Sequence, residues 1–111
     1  MGAKLKLTAG TAPPPAHLSE SSKRLWAEVV AEFDVRDAPG LAVLQAGLEA
    51  RGRAEEARKL LDKEGLTTSG DRGGIKAHPA VTIERDNRAA FVQAMKVLNF
   101  SPEPAPISRR R

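Results

Sequence analysis

Residues 65–81, GLTTSGDRGGIKAHPAV, gather residue types from which chemistry is built: four glycines, an aspartate, an arginine, a lysine and a histidine followed by proline. A phosphate-cradling loop would need G-x-x-x-x-G-K-[ST], where backbone N–H groups hold the phosphates and the hydroxyl holds Mg²⁺. Here Gly74 is followed by Ile75, Lys76 and Ala77, so the hydroxyl is missing, and no G-x-G-x-x-G occurs. A zinc centre needs three or four ligands, and the chain offers only His17, His78 and no cysteine. No G-x-S-x-G elbow presents a serine nucleophile. The neighbouring carboxylates Glu84 and Asp86, or Glu55 and Glu56, lie in densely charged stretches and read as solvated faces. The residues therefore argue against an enzyme and against a metal or cofactor.

The same stretch reads well as a connection. Asp71 with Gly70, Gly73 and Gly74 is turn chemistry, and the LTT and GIK segments on either side suit short strands. Because a residue before proline is pushed out of the α region, His78-Pro79 marks a helix start. His78 is expected to cap that helix or pack under the hairpin.

Three helices must position whatever the chain presents. Ser19 is a good N-cap, and Leu25, Trp26, Val29, Val30 and Phe33 then fall on one helical face, predicting a helix to about Asp34. Asp37 caps a second helix over about 38–64, with Pro39 in its first turn and Gly65 as its stop. Leu41, Leu44, Leu48, Ala54, Ala57 and Leu61 make a narrow stripe on it. Ala46, Gly47, Ala50, Ala54 and Ala57 allow another helix to come close. Glu49 with Arg53, Arg51 with Glu55, Glu55 with Lys59 and Arg58 with Asp62 are spaced as i,i+4 pairs. A third helix is predicted from Pro79 to about Asn99. Its stripes are Ile83, Ala90, Ala94 and Val97, and beside them Phe91, Met95 and Leu98, with Glu84 and Arg88 as an i,i+4 pair. The fold class expected is mainly α: a three-helix protomer with a long antiparallel helical hairpin, and a short β-hairpin or loop between helices two and three. The core and subunit contacts are expected from Trp26, Val30, Phe33, Leu44, Leu48, Leu61, Phe91, Met95 and Leu98.

Residues 1–17 and 101–111 are proline-rich and are expected as disordered arms flanking a core over 18–100. Lys4 and Lys6, and Arg109, Arg110 and Arg111 against Glu103, put the whole net charge of +4 on these two ends. Basic tails on a neutral body suit sequence-independent contact with a polyanion. Lys23 and Arg24 beside Trp26, and Arg72 and Lys76 near the turn, are further candidate DNA contacts. Aromatics are few, so the core is thin, and a small domain with a thin core gains from self-association. No apolar run is long enough to cross a bilayer and no secretory signal is evident, so a cytoplasmic protein is expected.

The order PAHLSESSKRLWAEVV, DAPGLAVLQAGLEARGRAEEARKLLDKEGL, GGIKAHPAVTIERDNRAAFVQAMKVLNFSP over residues 13–104 resembles the small terminase subunits of tailed phages and prophages. Its most specific pieces are HLS…LW, EGLTT…GG-KAHPA and LNFSP. The resemblance implies a non-catalytic factor that assembles into a ring and binds viral double-stranded DNA. It would regulate a large subunit carrying the ATPase and nuclease, in the cytoplasm of a bacterial host. There is little room for a helix-turn-helix domain before residue 18, so weak sequence specificity is expected. Two other readings compete. One is a monomeric or dimeric regulator with helices one and two as a helix-turn-helix across DVRDAPG. The other is a scaffold that never touches nucleic acid. Against the first, the second helix begins APGLAVLQAGL, which offers few base-reading side chains.

Overall fold

The computed structural model describes residues 12–70 and 73–98. The order of elements is α1 (Glu20–Phe33), α2 (Ala38–Glu64), β1 (Thr67–Ser69), β2 (Ile75–Ala77) and α3 (Pro79–Val97). Each boundary has a local cause. The Ser19 hydroxyl accepts from the Ser22 N–H at the start of α1, and Asp34 closes that helix in the left-handed region at φ 54°, a conformation that Asp tolerates better than most residues. The Asp37 carboxylate accepts from the Gly40 N–H and Pro39 sits in the first turn of α2. Gly65, at φ 87°, ends α2.

Helices α2 and α3 run antiparallel over their whole shared length. Gly47 lies against Ala94, Arg53 reaches Asn87, Arg58 reaches Glu84, and Glu64 reaches His78. In these pairs one residue number rises as the other falls, as in a hairpin. The strands continue the pattern: Thr67 pairs with Ala77, Thr68 with Lys76 and Ser69 with Ile75. Gly73 supplies the positive φ in the turn. The small-residue seam is used as its composition suggests. Gly47, Ala50, Ala54 and Ala57 are buried, whereas Ala46 stays exposed.

The core lies at one end, where α1, the first half of α2 and the last turns of α3 converge. Leu18, Trp26, Val29, Val30, Val35, Leu44 and Leu48 form it, with Leu41, Phe91, Met95 and Leu98 packed against it. The predicted α2 stripe thus splits in two. Leu44 and Leu48 serve α1, while Ala54 and Ala57 serve α3. Leu61 is half-buried toward the far end of the hairpin, outside this cluster, and Phe33 is 43% exposed at the cluster's edge beside Val35 and Leu98. On α3 the two predicted stripes also part: Phe91, Met95 and Leu98 join the core, but of the other stripe only Ala94 is buried.

Residues 12–17, grouped with the arm on composition, lie against the helices. The Trp26 indole Nε1–H donates to the Ala12 carbonyl at 2.9 Å, and His17 Nε2 is 2.8 Å from a Glu49 carboxylate oxygen. A buried indole needs such an acceptor, which draws the chain before Leu18 onto α1.

Candidate functional site

The cations proposed from sequence fall in three places. Lys4, Lys6, Arg72 and Arg109–Arg111 lie outside the described residues. Lys23 is tied to Glu20 at 3.5 Å, one turn back on α1, and Arg24 is exposed beside it. Lys76 is exposed on β2, next to Ile75, which is 80% exposed. Among the described residues, Lys23 and Arg24 thus stand on α1 and Lys76 on the two-stranded tip.

The structure assembles a polar network on the hairpin. Glu84 receives Arg88 through two hydrogen bonds, from Nε at 3.0 Å and Nη2 at 3.3 Å, and Arg58 Nη2 from α2 at 3.0 Å. The Arg88 and Arg58 guanidiniums hold its carboxyl below the usual glutamate range, and Glu84 in turn raises the Arg88 guanidinium. The Glu84 side chain is only 14% exposed, while Arg58 and Arg88 are each more than half exposed. One carboxylate thus serves two guanidiniums. Sequence spacing supplied the Glu84–Arg88 pair but assigned Arg58 to Asp62. With α3 alongside, Arg53 turns across to Asn87, while Glu49 turns to Gln45 one turn back on α2 and to His17 before α1. Only Arg51–Glu55, at 3.3 Å, forms within α2 as spaced. Arg51 also donates to the Ser21 and Ser22 hydroxyls at 3.1 and 3.0 Å, pinning the start of α1 to the middle of α2.

His78 is the N-cap of α3. Its Nδ1 accepts from the Ala80 N–H at 3.0 Å, so the ring hydrogen sits on Nε2 and donates to Glu64 at 2.8 Å. One imidazole therefore starts α3 and ties it to the end of α2. This is the structural role expected of His78-Pro79. Among the described residues, no group of three or more His, Cys, Asp or Glu side chains could hold a metal ion. No helix of the described residues is long and apolar enough to cross a membrane.

A groove of about 820 Å³ lies beside the start of α1, lined by Leu18, Ser22, Leu48, Arg53, Glu56 and Ile83 among others, and two smaller grooves flank the core. One, of about 480 Å³, lies at the corner between α1 and α2 and is lined by Phe33, Val35, Asp37, Val43, Val97 and Leu98 among others. The other, of about 310 Å³, lies between α2 and α3 beyond the start of α1, with Ala54, Phe91 and Val92 at its base and Arg51, Glu55, Arg58 and Arg88 around it. Along the hairpin Leu60, Ile83, Val92 and Val97 are 38%, 48%, 44% and 59% exposed. All four side chains are apolar; Leu60 and Ile83 lie past the start of α1, and Val97 lines the corner groove beside Phe33.

No curated protein and no solved structure matches the chain. The sequence model of one family, described as phage terminase, small subunit, matches residues 22–105, from within α1 to beyond the end of α3. All of α1 but its first two residues, the other two helices, the two-stranded tip and the hairpin network fall inside that match, and the chain belongs to the phage terminase small subunit family.

Proposed function

We propose that the protein is a non-catalytic packaging factor that self-associates into a ring. In this reading it binds double-stranded viral DNA with weak sequence specificity and recruits or regulates the large subunit that carries the ATPase and nuclease. The family is that of a phage DNA-packaging subunit. The observation that carries the assembly is the uncovered hairpin: a core closed at one end only, with Leu60 and Ile83 left exposed along the rest and Val92 and Val97 exposed on the outer side of α3. Apolar area of this kind stabilises association at about 25 cal/mol per Å² removed from water. DNA contact is assigned to the basic ends, Lys4, Lys6 and Arg109–Arg111, with Lys23, Arg24, Arg72 and Lys76 as further contacts. Repeated around a ring, these charges steer a polyanion.

A small helix-turn-helix regulator fits less well. The start of α2 is folded into the protein rather than offered to a groove: Gly40 and Leu44 are buried and Leu41 is half-buried. Its exposed positions there are Ala38, Pro39 and Ala42, which carry no side-chain hydrogen-bonding group for reading base edges.

The absolute mass in solution at low and high salt, measured with DNA affinity over the same salt range, tests the reading. A discrete assembly of many copies with salt-dependent DNA binding is the expected result. A monomer or dimer that binds DNA would favour the regulator, and an assembly indifferent to DNA would leave a scaffold.

A further inference from the structure

Acid and base are not spread evenly between the two layers of the protein. Among the described residues, 12–37, which contain α1 and its corner, hold five acids and three bases. Residues 38–98, the hairpin, hold nine bases and seven acids. The molecule is neutral over these segments yet polarised, with a negative first layer on a positive second one.

The two layers also differ in length. At 1.5 Å per residue, the 27 residues of α2 span about 40 Å and the 14 of α1 about 21 Å. α1 therefore covers one half of the hairpin, and Arg51, bonded to Ser21 and Ser22, marks where it begins. The groove lined by Ala54, Phe91 and Val92 opens at that point, with Arg58 and Arg88 past it. At its edge Arg58 and Arg88 share Glu84, which leaves one positive charge uncompensated and both guanidiniums held in place. Asp62, one turn further along α2, makes no hydrogen bond or ion pair among the described residues, and Glu55 is taken by Arg51.

The outer face of α1 is the complement. Ala27 and Ala31 are exposed and small enough for close approach, and beside them Glu28 and Glu32 are exposed without a hydrogen bond or ion pair among the described residues. Four residues apart on a helix, the two glutamates stand about 6 Å from each other, a spacing that suits two neighbouring guanidiniums.

We propose that this groove receives α1 of a second copy of the chain, with Glu28 and Glu32 meeting Arg58 and Arg88, and Ala27 and Ala31 lying on Ala54, Phe91 and Val92. The unoccupied half of the hairpin has the length of one more such helix. Repeated in one direction, the contact of these two different surfaces is head-to-tail, the type that generates a ring when its rotation closes, whereas a reciprocal exchange between two copies would close as a dimer. The inference rests on the self-association proposed above and names the faces that make it.

Light scattering as a function of concentration tests it, on the full chain and on two charge-reversed variants. Glu28→Lys with Glu32→Lys alters exposed positions only, and helical content by circular dichroism reports that the variant folds. The expected result is that its assembly midpoint rises at least about tenfold in concentration, a shift worth about 1.4 kcal/mol. Combining it with Arg58→Glu and Arg88→Glu restores assembly. If the wild-type chain assembles and the Glu28→Lys, Glu32→Lys variant assembles equally well, these faces are not the interface, although self-association stands. If the wild-type chain is monomeric at every concentration, the underlying reading falls and this one with it.

Discussion

Glu84 is where the charges of two helices meet, and its protonation links the hairpin to pH. Its carboxyl is held below the ordinary glutamate value of 4.5 by Arg88 first and Arg58 second. A group whose folded value is lowered contributes stability above its unfolded value and loses it as pH falls through the folded one. Glu84→Gln should therefore lower the thermal midpoint at pH 7, and the gap to wild type should close as pH falls below 4.5. A gap of constant size across that window would mean that the charge plays no part. Glu49 is lowered as well, through Gln45 and then His17, so part of the acid slope remains in the variant. At this scale the sequence was partly legible. Glu84–Arg88 followed from spacing within one helix, and His78 as a cap followed from its proline. Arg58–Glu84 did not, because the two residues are 26 apart in the chain and only the packing of α2 on α3 joins them.

The hairpin as an element depends on how closely its helices approach. A Cβ added at Gly47 would stand 2.6 Å from the Cβ of Ala94, whereas one added at Gly52 would meet nothing within 4 Å. Both substitutions to alanine remove a helix-interior glycine, a gain of about 1 kcal/mol from propensity alone. At Gly47 the forced separation of the helices costs about 1–3 kcal/mol and outweighs that gain. Urea unfolding should show Gly47→Ala destabilised and Gly52→Ala stabilised by up to about 1 kcal/mol. Equal effects at both sites would refute the close-approach account. The two glycines look alike in sequence, each set in a charged, alanine-rich helix. Their difference in helical phase has meaning only once α3 takes one side of α2.

The whole molecule is a small core at one end of a longer hairpin, with its excess positive charge carried on the chain ends. If those ends make the DNA contact, deleting Arg109–Arg111 should flatten the dependence of DNA affinity on salt, by about 0.9 in logarithmic slope for each phosphate that is no longer neutralised. Assembly, measured by light scattering, should not change. An unaltered slope would leave the DNA contact to Lys4 and Lys6 or to Lys23, Arg24, Arg72 and Lys76.

Local physics determined much of this protein from sequence alone. Ser19, Asp37 and His78 start the three helices, Gly65 ends the second, and the glycine-rich turn between LTT and GIK makes the two-stranded tip. Each of these depends on neighbours a few residues away, whose distances the covalent chain already sets. Which apolar stripe is buried, which arginine meets which carboxylate, and which half of the hairpin stays uncovered were decided by tertiary structure. A helical stripe shows only that a face is apolar. Whether something covers it depends on the lengths and crossing of separate elements: α1 is about half as long as α2, so Leu44 and Leu48 are buried while Leu60 and Ile83, further along the same hairpin, remain exposed.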